Sequence, residues 1–375
     1  MNCLVSVVLP VRNGEKYIRN AIDSVLAQTY PHYELVVVDA SDDNTPKIVR
    51  SYDDDRIRYF RQKSKGPVNG YNEALNNYIT GEYVTFIHHD DIYYPDKLYE
   101  QVRTIERFVD VTCVYNDIEF VDDTHKTLRV RSHEDYYHRS NDLLVDMMIG
   151  YGISNLGINV LTKREFIEEH GLRYSLEAPI YRDHVYMFEM LDAGAVFKHI
   201  AKPLIKYRVH DVNYSGDRDG VSNDIMAIYS RYTIEQLRAI IEASNYSPSE
   251  QAVIMGRLYY RLGHIDTGHK YLQGAIEADD DPWAMFYLGT GYYRYQGYYE
   301  NAALWLKRGK ESMPYRAEFA NNLGCCLLQT RSLSDAKPYF EEAQRLMPEY
   351  CDAKYNVEHA ESGEKFNPRL TDSEI

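Results

Sequence analysis

The sequence predicts an α/β domain with a mainly parallel sheet flanked by helices, followed by an all-α domain of stacked helix pairs, in one chain of 375 residues. Three observations predict this. Short apolar runs alternate with helix-period segments over the first third of the chain. Small residues and prolines recur at a fixed spacing from about residue 251 onward. Between the two regions the pattern loosens into short mixed elements and loops.

Leu4 to Leu9 reads as a buried strand stopped by Pro10. Tyr17, Ile18, Ala21, Ile22, Val25 and Leu26 then recur at helical spacing. Leu35 to Val38 is a second buried strand closing on Asp39, and Thr45-Pro46 carries a hydroxyl and a first-turn proline that start a helix. Ile57 to Phe60 is a third strand, and Ala74, Leu75, Tyr78 and Ile79 mark the next helix. Tyr83 to Ile87 is a fourth strand, Pro95 to Phe108 a helix and Val111 to Tyr115 a fifth strand. Ile225 to Ala243 reads as one helix leading out of the first domain.

Further along, Gly256, Tyr259, Gly268, Leu272 and Ala275 form one set, and Gly324, Leu327, Ala336, Phe340 and Ala343 form another with closely matching internal offsets. Gly289, Tyr292, Ala302, Leu306, Gly309 and Pro314 lie between them. Pro314 to Pro348 and Ala302 to Ala336 each span 34 residues, whereas Gly289 to Gly324 spans 35, so the middle unit holds one extra residue between its helices. Tyr292, Tyr293, Tyr295, Tyr298 and Tyr299 are read as packing between these helices rather than as a ligand-stacking surface. The expected boundaries are 1–220, a helical linker 221–250, repeats over 251–361 and a polar, frayed tail 362–375.

The formal net charge of -15 argues against broad binding to nucleic acid or to anionic membranes. No apolar run approaches the ~20 residues that span a bilayer, and no signal peptide is read at the start. Five scattered cysteines without ligand spacing fit reduced thiols and a cytoplasmic setting, with peripheral membrane association left open.

The chemistry concentrates where the fourth strand ends, at His88-His89-Asp90-Asp91. In open α/β sheets ligands bind beyond the carboxyl ends of the strands. Carboxylates there offer hard oxygens to a divalent cation, which in turn holds substrate phosphates. Asp39 ends a neighbouring buried strand at the same edge. Asp53-Asp54-Asp55 and Asp279-Asp280-Asp281 read as solvated loops.

Several segments, in order, resemble glycosyltransferase family 2, a family with the GT-A fold. They are Val5-Ser6-Val7-Val8-Leu9-Pro10-Val11-Arg12-Asn13, Ser24 to Tyr30, Val36 to Asp39, the set Gly66, Asn72 and Ala74, Gly81-Glu82-Tyr83, and Tyr207-Arg208-Val209-His210. The second half resembles tetratricopeptide repeats, helix–turn–helix units that stack into concave binding surfaces.

The family resemblance implies an inverting, metal-dependent transfer from a nucleotide-diphosphate sugar, of the UDP type, to a hydroxyl of a glycan, lipid-linked or protein acceptor. It implies Mn2+ or Mg2+ on Asp90 with His210 as a second ligand. It implies donor contacts from Pro10, Val11, Asn13, Asp39, Lys65, Asn72, His89 and Asp91, with Asp39 accepting from the base. It implies Asp183, in Tyr181-Arg182-Asp183-His184, as the general base. The repeats would receive a protein partner. Three departures stand out. His88 replaces the first acid of the Asp-x-Asp-Asp pattern, and Arg182 replaces the acid before the base. The segment Asp39-Ala40-Ser41-Asp42-Asp43 is also one residue short, with Asp43 in the last acidic place. His88 and the shortened Asp39 segment motivate an alternative, a degenerate transferase domain acting as an interaction scaffold. A dinucleotide-dependent oxidoreductase is excluded because Pro10 to Lys16 lacks the glycine turn it requires.

Overall fold

The structure, a computed structural model, describes residues 2–66, 68–132, 143–148, 159–176, 182–209, 229, 231–348, 350–362 and 366–371. It divides into two compact units, Met1–Leu237 and Arg238–Ile375.

The first unit is built on a nine-stranded sheet of order β3-β2-β1-β4-β8-β6-β9-β5, with β7 paired to β6. Its strands are β1 (Val5–Val11), β2 (Tyr33–Asp39), β3 (Ile57–Arg61), β4 (Tyr83–Phe86), β5 (Ile92–Tyr93), β6 (Cys113–Val121), β7 (Thr127–Arg131), β8 (Leu161–Lys163) and β9 (Phe197–Arg208). Helices α1 (Ile18–Leu26), α2 (Thr45–Val49), α3 (Asn69–Asn77) and α4 (Lys97–Arg107) connect the early strands, as the alternating pattern requires. Beyond them come α5 (Leu143–Met148), α6 (Arg164–Glu169) and α7 (Arg182–Asp192).

The sheet is mixed rather than mainly parallel. β3, β2, β1 and β4 run parallel, but β8 enters antiparallel to both β4 and β6. β8 has only three residues and takes the antiparallel pairing, whose bonds run perpendicular to the strands. The fifth strand also runs further than its apolar stretch, to Val121. Its continuation hides behind polar residues, because Asn116, Asp117 and Glu119 are buried and paired. Gln101 Nε2 donates to Asn116 Oδ1, His199 Nε2 lies 2.7 Å from Asp117 Oδ1, and Thr127 donates to Glu119. The core itself is conventional, with Val7, Leu9, Leu35, Val37, Ile18, Ile22, Leu98 and Val102 buried between sheet and helices.

The second unit is helical. α8 (Ile234–Glu242) straddles the division, and α9 (Pro248–Arg261), α10 (Ile265–Asp279), α11 (Pro282–Gly291), α12 (Tyr299–Ser312), α13 (Ala317–Thr330), α14 (Leu333–Leu346) and α15 (Cys351–Ser362) follow. Glycines sit where helices cross. A Cβ on Gly256 would come within 2.6 Å of Leu272, and one on Gly268 within 2.9 Å of the Gly256 carbonyl. The extra residue of the middle unit is absorbed by a π-helical turn, Tyr292–Gln296, closed by Gly297 at φ 67°. Around it the tyrosines pack on one another and on neighbouring helices, as in Tyr260–Tyr295 at 5.3 Å and Tyr293–Tyr299 at 5.0 Å. Asp281 is not a solvated loop residue: it caps α11, accepting from Ala284 N at 2.9 Å. Nor is the segment after α15 frayed throughout, since residues 366–371 lie against the unit, with Thr371 buried. Among the described residues no helix is long and apolar enough to cross a membrane.

Candidate active site

The site lies at the carboxyl ends of β1, β2 and β4. β4 pairs in parallel with β1, which pairs in parallel with β2, so Asp39 and the turn after Phe86 emerge at one edge. Two loops are stitched together there. Asn13, at φ 54°, donates its N–H to Ser41 Oγ at 2.7 Å and accepts from Asp42 N at 2.9 Å through Oδ1. Gly14 N donates to Thr45 Oγ1, and Glu15 N to Asp43 Oδ2. Asp43 therefore fixes the start of α2 rather than standing free. Pro10 and Val11 form the last turn of β1 beneath this stitching.

Asp39 is fully buried. Its Oδ1 accepts from Ser41 N at 2.8 Å, and its Oδ2 accepts from Tyr59 OH at 2.6 Å and Arg61 Nη1 at 3.0 Å. A carboxylate offers about four acceptor positions, so one remains for an incoming N–H. Tyr59 and Arg61 were not legible as site residues, because only the β2–β3 register places them beside Asp39.

His88, Asp90 and Asp91 bring ligand-type atoms within 4.8 Å of one another. Asp91 is 1% exposed, with Oδ1 accepting from Arg208 N at 3.1 Å and Oδ2 lying 3.5 Å from His88 Nδ1. Burial, then the neighbouring Asp90 charge, holds the Asp91 carboxyl well above the ordinary carboxylate range. Burial lowers the His88 imidazole below the ordinary histidine value, against the pull of Asp183 and then Asp90. Among the described residues His88 Nε2, Asp91 Oδ2 and Asp183 Oδ1 are buried with no hydrogen-bond partner. This donor set fits a hard divalent cation: two carboxylates and a neutral imidazole, with a like-charge repulsion that a cation relieves. The sequence offered His88 only as a substitution; the fold makes it a third member of the set.

His89 is half-buried and lies over the β1–α1 loop, where a Cβ on Gly14 would meet its ring at 2.8 Å. Asp183 opens α7. Its charge acts on both His88 and Tyr71, which also feel Asp90, and the Tyr71 and His88 rings lie 6.5 Å apart. Arg182 donates to Tyr71 OH at 3.3 Å and stacks over that ring at 5.1 Å. Burial works against the Arg182 charge, but Tyr71 and Asp183 outweigh it and hold its pKa above the ordinary arginine value. Burial pushes the Tyr71 phenol up to about 12. Tyr71, Tyr174 and Tyr186 build an aromatic wall, with Tyr174 and Tyr186 stacked at 4.2 Å.

Two expected donor contacts lie elsewhere. The Asn72 amide closes a reciprocal pair with the Tyr174 backbone, donating to its carbonyl and accepting from its N–H, both at 2.9 Å, and so holds the aromatic wall. Lys65 is exposed on the loop before α3. His210 lies outside the described residues, but Arg208, two positions earlier, is central. It is 1% exposed, and its Nε donates to the Asp90 carbonyl at 3.0 Å. Its Nη1 reaches the Asp122 and Asp123 carbonyls.

The sequence model of glycosyl transferase family 2 matches residues 6–170. An uncharacterized glycosyltransferase of Rickettsia typhi is 32% identical over 237 residues, which is 61% of this chain and 71% of that protein. One from Rickettsia felis is 32% identical over 62% of this chain, which spans only 38% of that longer protein. Among solved structures, S. aureus TarS 1-349 in complex with UDP-GlcNAc gives a TM-score of 0.52 at 14% identity, covering 92% of this chain and 93% of that one. At that identity the likeness is one of fold. With the family sequence pattern, its fold and this site in a single domain, the chain belongs to glycosyl transferase family 2 and is a glycosyltransferase.

Proposed function

We propose that the enzyme transfers a sugar from a nucleotide-diphosphate donor of the UDP-sugar type to a hydroxyl of a glycan, lipid-linked or protein acceptor, with inversion. The observation that supports this reading is that His88 Nε2, Asp91 Oδ2 and Asp183 Oδ1 are buried without hydrogen-bond partners among the described residues, with the Asp183 charge acting on His88.

Asp90, with His88 and Asp91 beside it, would hold Mn2+ or Mg2+. Bound there, the cation supplies Lewis acidity that neutralises the leaving diphosphate. Asp39 keeps one acceptor position for the imide N–H of a base, while Tyr59 and Arg61 fix its orientation. Asp183 Oδ1 takes the acceptor hydroxyl proton as that oxygen bonds to the anomeric carbon. The bond from that carbon to the diphosphate oxygen breaks on the opposite face, and its electron pair leaves with the nucleoside diphosphate. The wall of Tyr71, Tyr174 and Tyr186 limits water. We read the helical unit as tetratricopeptide-like and as the seat of a protein partner; glycines at its crossings and its 34-residue spacing support that.

The test is release of the nucleoside diphosphate, UDP or GDP, from a panel of UDP- and GDP-sugars with and without Mn2+, beside calorimetry with UDP. Metal-dependent UDP binding and release, lost in Asp90→Asn, is the expected result. No UDP binding under any condition would instead favour the scaffold alternative.

A further inference from the structure

Around the π-helical turn Tyr292–Gln296, which absorbs the extra residue of the middle repeat, aromatic rings gather in an unbroken series. Tyr295 lies 5.3 Å from Tyr260, Tyr260 lies 5.5 Å from His269, His269 lies 4.5 Å from Tyr292, and Tyr292 lies 6.4 Å from Tyr298, centre to centre. The rings come from α9, from α10, from the turn itself and from the residue before α12. Single π-helical turns inside helical structure occur frequently at functional sites.

Two glycines fix the centre of the series. A Cβ on Gly268 would meet the Tyr260 ring at 2.5 Å, and one on Gly291 would run into its hydroxyl oxygen. Tyr260 therefore fills a slot, between α10 and α11, that any larger residue at either position would close.

Packing accounts for these ring contacts and leaves two features over. The first is polar. Tyr260 OH, His269 Nε2 and Gln296 Oε1 are buried with no hydrogen-bond partner among the described residues. A buried polar group without a partner costs free energy, so such groups in one cluster call for an occupant that bonds them. The second is exposure. Tyr295 and Tyr298 remain 43% and 55% exposed although both belong to the series.

The chemistry of these groups narrows the occupant. A phenol both donates and accepts, a carboxamide oxygen accepts, and a neutral imidazole nitrogen does either. Burial, opposed by Asp266, lowers the His269 pKa below the ordinary histidine value, so the ring is uncharged at pH 7. Sugar hydroxyls donate and accept in the same way, and the C–H face of a sugar ring lies flat on an exposed phenol ring. An ammonium group offers donors only and leaves the Tyr260 proton without an acceptor. The net charge of -15 disfavours an anionic glycan.

We propose that the cluster around the π-helical turn is an accessory glycan-binding site that takes a neutral oligosaccharide, the acceptor or product of the transfer reaction. Tyr295 and Tyr298 stack on sugar rings, while Tyr260, His269 and Gln296 bond hydroxyls. The choice of a glycan rests on the sugar-transfer reading above; the binding itself uses none of the active-site residues, and it is separate from the partner-binding role of the helical unit.

The test is native electrophoresis of the full chain through gels that each contain one soluble neutral polysaccharide: mannan, dextran, galactan or glycol chitin. Neither donor nor metal is present. Retardation by at least one polysaccharide, relative to a plain gel, is expected. Tyr295→Ala with Tyr298→Ala, both at exposed positions, should weaken the apparent affinity about tenfold or more, while Tyr295→Phe with Tyr298→Phe keeps the rings and should retain it. Gln296→Leu should weaken it about fivefold by removing the carboxamide oxygen. No retardation in any gel, or equal retardation of the unaltered chain and the alanine variant, would overturn the site. A failed transfer assay leaves a positive gel result standing, and an active enzyme that no polysaccharide retards loses this site alone.

Discussion

Arg208 N donates to Asp91 Oδ1 at 3.1 Å, joining residues 117 positions apart in the chain. The same arginine's Nε donates to the Asp90 carbonyl, so the end of β9 fixes both acids of the turn after β4. A guanidinium fork reaches several carbonyls at once, whereas an ammonium is a single point. Arg208→Lys should keep the charge and lose the orientation. The expected result is a fall of about tenfold or more in apparent metal affinity, read by Mn2+ titration of donor hydrolysis. An unchanged titration midpoint would show that the turn holds its shape without the fork.

Asp91 carries a raised carboxyl pKa from burial and from Asp90. A folded pKa above the unfolded value means that the folded state binds the extra proton in the window between them. In metal-free protein that contribution is complete below about pH 3.9 and is lost as pH rises through the folded pKa. Asp91→Asn should flatten that slope and raise the metal-free melting temperature at pH 7. It should also shrink the further rise produced by Mn2+. Thermal melts from pH 4 to 8, with chelator and with Mn2+, read all three.

Asp183 stands at the start of α7 with Oδ1 unpartnered among the described residues. Asp183→Asn preserves shape and removes the proton acceptor. We expect kcat to fall at least about a hundredfold with UDP affinity nearly unchanged. Weaker UDP binding with kcat retained would place Asp183 in donor binding instead.

Lys97 is fully buried, bonded to Gln101 Oε1 at 2.8 Å and lying 4.2 Å from the Tyr93 ring centroid. Burial holds its pKa well below the ordinary lysine value. The unfolded chain then binds one more proton than the folded chain between the two pKa values. Stability therefore rises with pH across that window and levels off above about pH 10.4. Lys97→Met should remove this slope and stabilise the fold by about 1 kcal/mol or more at pH 7. Urea unfolding at pH 7 and pH 9 measures both.

Gly14 leaves room for His89. A Cβ there would stand 2.7 Å from Val11 Cγ2 and 2.8 Å from His89 Cδ2. Gly14→Ala should displace the imidazole, costing about 1–3 kcal/mol of stability. A matching loss of UDP affinity by calorimetry would place His89 at the donor, and unchanged affinity would remove it from there.

The local code of this chain was legible where one face of an element is uniformly apolar. Alternation of apolar runs with helix-period segments was enough to read β1 to β4 and their helices, because β1, β2 and β4 are buried along their whole length or nearly so. The His88–Asp91 cluster was legible for the converse reason, since charge directly after a buried strand is costly without a task. The repeat spacing even foretold the one extra residue that the chain absorbs in the π-helical turn at Tyr292–Gln296. What the tertiary structure alone decided are the partners. Antiparallel β8, the polar continuation of β6, and the meetings of Tyr59 with Asp39 and Arg208 with Asp91 depend on register between distant strands. The amide pair of Asn72 with Tyr174 and the grip of Asn322 and Asn356 on residues 369 and 371 are of the same kind. A hydrogen bond between residues far apart leaves no periodicity in the chain. Its donor and acceptor become a pair only when the surrounding burial removes water as the alternative partner.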